Sequence, residues 1–122
     1  MSKVKGMEIS IEINRLMNEY VREVEEEVDK AARGTASAAA SRLKKYSPRG
    51  KGKEHYADGW RSRKLGKRQY TVYNGLKPGL THLLNNGHAK AGGTGRVEGD
   101  GHITETADWA AEEFEERVKK SI

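Results

Sequence analysis

The sequence predicts an α+β fold: a long N-terminal helix and a C-terminal helix packed on a small antiparallel β-sheet. Three observations carry that expectation. Apolar residues recur at three- and four-residue steps through residues 8–46. Two stretches of the middle, 55–65 and 68–73, hold strand-forming aromatic and β-branched residues. Residues 104–120 open on threonines suited to capping a helix and close on cations that suit its C-terminus.

The first helix is read from Ile13, Leu16, Met17, Tyr20, Val24, Val28, Ala31, Ala32 and Leu43, with Glu19, Glu23, Glu26 and Lys30 on the other face. Ala36–Ala40 is small-sided and helix-favouring. Gly34 is the weak point, a bend or a close helix contact. Ser47-Pro48 ends the segment, because a residue before proline avoids the helical region. Unbroken, such a helix is about 57 Å long, at about 1.5 Å per residue. That exceeds what a compact domain of this size needs, so part of it is expected to pack on another chain. Residues 49–53 read as a mobile basic loop, and His55–Leu65 and Arg68–Tyr73 as strands joined by a turn at Gly66-Lys67. Asn74-Gly75 and Pro78-Gly79 are turn signals. A short helix follows at 80–86, its apolar face made by Leu80, Leu83 and Leu84, with Gly87 as its stop. Ala91–Gly101 is a Gly-rich loop, expected to be mobile over 91–99 in an isolated subunit. The last helix is capped by Thr104 or Thr106 and carries a stripe of Ala107, Ala110, Ala111, Phe114 and Val118.

At roughly 100–200 residues per domain, a chain of 122 residues makes one domain. Its hydrophobic share, 34%, is low for a globular chain and equals its charged share, so the core is thin. A chain of this kind is elongated, or completes its burial in an oligomer. No run of 18 apolar residues crosses a membrane, and the N-terminus lacks the apolar stretch of a signal peptide. With no cysteine there are no disulfides, thiolate metal sites or cysteine nucleophile. These features place the chain in a cytoplasm, or in a particle assembled there.

The net charge of +5 hides a pattern. Residues 1–33 carry a net −2, residues 34–103 a net +10 and residues 104–122 a net −3. Between Arg42 and Arg68, eleven cations face two acids, Glu54 and Asp58. Such a segment fits an acidic face of this chain or its neighbour, another acidic protein, or nucleic acid. The candidate contact residues are Arg42, Lys44, Lys45, Arg49, Lys51, Lys53, Arg61, Arg63 and Lys64. Tyr46, Tyr56 and Trp60 lie among them, as base-stacking platforms or as anchors to the core.

For catalysis the signals are few. His82, His88 and His102, with Glu98 and Asp100, allow a metal-dependent nuclease site to be drawn, but their spacing fits no zinc pattern. The alternative is that these histidines bond carbonyls at loop junctions. No nucleophile elbow, phosphate loop or dinucleotide fingerprint occurs. The expectation is a protein without enzymatic activity, metal or cofactor.

Ser47-Pro48, Tyr56-Ala57-Asp58-Gly59-Trp60, Tyr73-Asn74, the run Leu80-Thr81-His82-Leu83-Leu84-Asn85-Asn86-Gly87-His88-Ala89, Gly92-Gly93 and Gly101-His102-Ile103 occur in this order. Together they resemble the tailed-bacteriophage neck, or head–tail joining, protein family, similar to the minor tail protein Z group of lambda-like phages. The resemblance spans about residues 40–120, and its specific part is Leu80–Ala89 with His102-Ile103. One departure is Asn85, where the family often has Glu. The resemblance implies a structural virion protein, assembled in the host cytoplasm, that forms a ring of six or twelve copies at the head–tail junction. Its implied partners are itself, portal-side and tail-side phage proteins and genomic DNA passing through the channel, with no membrane. The acidic face of the first helix, at Glu19, Glu23, Glu26 and Glu27, is expected to meet the basic middle of the next subunit. The second reading is a free-standing nucleic-acid-binding protein using Arg42–Arg68.

Overall fold

A computed structural model describes residues 6–12, 18–66, 69–90 and 93–121, and of residues 18–23 the backbone alone. Along the chain run β1 (Ile9–Glu12), α1 (Asn18–Tyr46), β2 (Trp60–Gly66), β3 (Gln69–Asn74), α2 (Thr81–Asn86), β4 (Gly87–Ala89), β5 (Arg96–Glu98) and α3 (His102–Ser121). The fold is α+β, with α1 and α3 packed against small antiparallel sheets.

The main sheet has the order β1-β3-β2, with both outer strands antiparallel to β3. Ile9 lies opposite Val72 and Ile11 opposite Tyr70, while on the other side Trp60 faces Asn74 and Ser62 faces Val72. One face therefore carries Ile9, Ile11, Tyr70, Val72 and Trp60, which are all buried. Helix α1 covers that face over β2 and β3. Helix α3 packs along α1 and reaches β1. The core between them is built from Ala32, Ala36, Ala39, Ala40 and Leu43 of α1 with Ile103 and Ala110 of α3. Small side chains let the two helices approach closely. A Cβ on Gly34 would lie 2.5 Å from the Arg117 Nη1 of α3. Gly34 is thus a helix contact, and the break in α1 lies instead at Val24, with φ −127° and ψ 30°.

Four expectations are corrected. The first helix does not begin at residue 8: residues 9–12 form a strand whose alternate residues Ile9 and Ile11 are buried while Ser10 and Glu12 are exposed. That period of two marks a half-buried strand. Ile13, Leu16 and Met17, expected in the same helix, lie outside the described residues, as does part of the turn at Gly66-Lys67. The strand expected from His55 begins only at Trp60, because residues 57–59 make a tight helical turn in which Gly59 N–H donates to the Tyr56 carbonyl at 3.1 Å. The Gly-rich segment expected as loop contains β5, paired with β4 from Gly87 opposite Glu98 to Ala89 opposite Arg96. On the helices, Ala111 and Leu83 are exposed rather than apolar contacts, and Leu80 and Leu84 alone of the three leucines pack against the core.

Candidate functional site

Ser47, Tyr56, Trp60, Asn74 and His102 of the ordered motif converge on one buried polar and aromatic cluster at the junction of α1, β2, β3 and α3. Tyr56 and Trp60, four apart across the tight turn, point into the core and meet edge to face, with ring centroids 5.8 Å apart. His102, the first residue of α3, completes the group at 5.7 Å from Tyr56 and 6.4 Å from Trp60. All three are buried, so every polar atom they carry needs a partner. Trp60 Nε1–H donates to Ser47 Oγ at 2.8 Å, which gives the serine after α1 a role beyond stopping a helix. The Tyr56 hydroxyl lies 2.7 Å from His102 Nε2, and His102 Nδ1 lies against an Asp100 carboxylate oxygen. A carboxylate only accepts, so Nδ1 carries the proton and Nε2 accepts from Tyr56. Burial, and then the negative charge of Asp100, push the Tyr56 hydroxyl well above the ordinary tyrosine range.

Asp, His and a hydroxyl in a row have the connectivity of a nucleophile relay. Here the hydroxyl belongs to a side chain with no solvent exposure, so no substrate atom reaches it from outside. What the row does is brace: it ties the turn before β2 to the start of α3. Asn74 makes a parallel tie. Its Nδ2 donates to the Tyr56 carbonyl at 2.8 Å, and its Oδ1 accepts from Leu76 and Lys77 N–H at 3.1 and 2.8 Å. A side chain on Gly59 would collide with Asn74 Oδ1, which explains glycine beside Trp60.

Asn85 is the second fastening point. Its Oδ1 accepts the N–H groups of Ile103 and Thr104 at 2.8 and 3.0 Å, and its Nδ2 donates to Thr104 Oγ1 at 2.9 Å. These two N–H groups belong to the first turn of α3, where no carbonyl of the helix itself is in reach. The cap of α3 is therefore supplied from α2, with Asp100 accepting from His102 N–H at 3.0 Å, and not by Thr104 or Thr106. In return, Asp100 and Gly101 N–H donate to the Leu84 and Asn85 carbonyls at the end of α2, each at 3.0 Å. Gly87 ends α2 at φ +85°, a conformation open to glycine, and a Cβ there would lie 2.5 Å from the Val97 carbonyl. Thr81 holds the N-terminal segment: its Oγ1 accepts from Met7 N–H at 2.8 Å.

The remaining motif residues lie apart. His82 is exposed on α2, and His88 on β4 is half-buried, its Nδ1 donating to the Ala89 carbonyl at 2.9 Å. Among the described residues no three His, Asp or Glu side chains gather as a metal site requires. Tyr73 faces the other side of the sheet, beneath the Arg63 guanidinium at 4.7 Å.

The basic residues divide between two places. At the end of α1, Arg42 is stacked between the rings of Tyr46 and Trp109, at 5.1 and 5.2 Å. Lys44 and Lys45 are exposed, and Arg49 turns back to the Lys44 carbonyl at 2.9 Å and to Asp58 at 3.7 Å. Lys51 and Lys53 belong to the turns that follow. The second place is β2, where Arg61, Arg63 and Lys64 are all exposed. Of the acidic residues expected on α1, Glu26 and Glu27 are exposed, while the side chains of Glu19 and Glu23 lie outside the described residues. Asn85 and Asp100 were missed as fastening residues because their partners lie across the fold. The one local signal was that each lies within two residues of a helix end, Asn85 one before the last residue of α2 and Asp100 two before the first of α3.

A family model described as "Bacteriophage HK97-gp10, putative tail-component" matches residues 11–87, more than half of the chain. No curated protein and no solved structure matches it.

Proposed function

The chain belongs to the HK97-gp10-like family of bacteriophage tail components, and from that premise we propose that it is a neck subunit of the virion. In this reading it takes the place of a protein Z-like tail-completion part. Six or twelve copies form a ring at the head–tail junction, genomic DNA passes through the ring, and portal-side and tail-side proteins stack on its two faces. The protein has no enzymatic activity and requires no metal. The observation that carries the reading is the family match over 11–87, which takes in α1, β2, β3 and α2. Two physical features support it. Ser47, Tyr56, Trp60, Asn74, Asn85 and His102 of the motif are used for internal fastening, which suits a rigid building block. The charges exposed on β2 are basic and those along the outer stripe of α3 acidic, which suits repeated contact between copies. No described helix is long and apolar enough to cross a membrane.

Sedimentation of the purified protein, with and without DNA, tests this reading. A ring-sized species, alone or on addition of tail proteins, is expected. A protein that stays monomeric and binds DNA with steep salt dependence would replace it with the nucleic-acid-binding reading.

A further inference from the structure

Among the described residues, strand β2 has β3 on one side and no strand on the other. Six of its seven residues are exposed, Trp60 being the one buried. An open edge of this length leaves a row of backbone donors and acceptors unpaired. It carries Arg61 and Arg63 on the sheet face away from α1, Lys64 on the face of its register partner Tyr70, and the 49% exposed Leu65 between Lys64 and Gly66. Two of the three cations are held by rings: Arg63 over Tyr73 at 4.7 Å and Lys64 over Tyr70 at 6.0 Å. None of the three has a carboxylate partner among the described residues.

The complementary surface lies on α3. Its buried side is Ile103, Thr106, Ala110 and Val118. On the opposite side Glu105, Asp108, Glu112 and Glu116 recur at steps of three and four, all exposed, which places them in one stripe along the helix. None of the four is ion-paired among the described residues, whereas Glu113 and Glu115 are tied to Arg117 and Lys119. Helix α3 packs on α1 and β1, and β2 packs on α1 from the other flank. His102 at the start of α3 meets Trp60 at the start of β2, but α3 then reaches β1, which lies at the opposite edge of the sheet from β2, so the body of the acidic stripe and the basic edge lie on different flanks of one subunit.

We propose that the β2 edge of one copy docks the Glu105–Asp108–Glu112–Glu116 face of α3 of a second copy, in a head-to-tail repeat. This rests on the ring reading above and names its contact. Two features choose this occupant. An isologous pairing of β2 with β2 would set Arg61, Arg63 and Lys64 against their own copies. The exposed face of α1 is of mixed sign, with Glu26 and Glu27 followed by Lys30, Arg33, Lys44 and Lys45. Among the described residues, only the α3 stripe offers uninterrupted opposite charge, and different patches on different flanks are what a closing heterologous ring requires. Covering β2 with a helix also shields its open edge.

The experiment is sedimentation of four proteins under the condition where the wild type forms its ring. Arg61→Glu with Arg63→Glu, and Asp108→Lys with Glu112→Lys, should each weaken assembly about tenfold or more, while melting as monomers where the wild type does. An equimolar mixture of the two should recover the ring, since alternating copies again oppose unlike charges and both six and twelve are even. Glu26→Lys with Glu27→Lys should assemble normally. If either reversal melts early, Arg61→Ser with Arg63→Ser, or Asp108→Asn with Glu112→Gln, takes its place and should weaken assembly in the same direction. A docking pair that assembles like the wild type, a mixture that stays monomeric, or loss of assembly in the α1 pair alone overturns the proposed contact and leaves the ring intact. A wild type that forms no ring, alone or with tail proteins, overturns both.

Discussion

The cluster around Tyr56, Trp60 and His102 and the edge strand β2 share Trp60 and treat polar groups in opposite ways. In the cluster, the hydroxyl and indole groups each have a partner within 2.8 Å, and the imidazole has two, Tyr56 and Asp100. On β2, three cations are exposed, and two of them, Arg63 and Lys64, lie over ring faces rather than against carboxylates. Buried polar groups cost stability unless satisfied, so the cluster is specified atom by atom. Exposed charges cost the fold almost nothing, so β2 is free to carry a pattern chosen for contact. Stability and association are thus written in different residues, and substitutions should separate them.

The largest effect is expected in the cluster. Trp60→Ala removes a fully buried ring and leaves Ser47 without its donor, and should cost about 3–5 kcal/mol in urea unfolding. A cost below about 1 kcal/mol would mean that the cluster does not organise the core. Next comes the cap supplied in trans. Asn85→Ala strips the acceptor from two N–H groups of α3 and should cost about 1–2 kcal/mol, with faster hydrogen exchange at Ile103 and Thr104. Asn85→Asp keeps the acceptor and places negative charge at a helix N-terminus, and should restore much of the loss. Equal losses in the two variants would show that the side chain matters for its volume and not as a cap.

A smaller effect is set by pH. The folded protein holds the Tyr56 proton above the ordinary range, and Tyr70 is shifted the same way by burial and by its hydrogen bond to Asp29. Above about pH 10, the ordinary tyrosine value, the unfolded chain releases these protons while the folded chain keeps them. The stability present below that pH is therefore lost as pH rises, toward the raised folded values. Tyr56→Phe should cost about 1 kcal/mol near neutral pH, for the lost bond to His102, and should flatten the alkaline slope without abolishing it. An unchanged slope would remove Tyr56 from the account. The smallest effect belongs to β2: Arg61→Ser with Arg63→Ser should shift stability by no more than about 0.5 kcal/mol. A larger loss would erase the contrast between the two regions.

Much of this was legible from local pattern. The apolar steps from Val28 to Leu43, the Tyr-Thr-Val-Tyr run of β3 and the glycine at 87 are each decided by neighbours within a few residues. Periodicity, β-branching and a positive φ act at that range, and so the α+β class, α1 past residue 18, α2 and α3 follow from sequence. What lay beyond it had distant causes. Ile9 and Ile11 become a strand because Tyr70 and Val72 offer an edge some sixty residues away. Arg96–Glu98 becomes β5 only by pairing with Gly87–Ala89. Asn85 looks like an ordinary polar residue near the end of a short helix until the start of α3 arrives beside it. The segregation of charge was also visible in the chain, yet the sum over residues 104–122 did not say that four acids share one exposed stripe. Local propensity sets which segments are helix or strand. Which polar group meets which, and which charges remain outside, depends on segments far apart in the chain, and only their packing decides it.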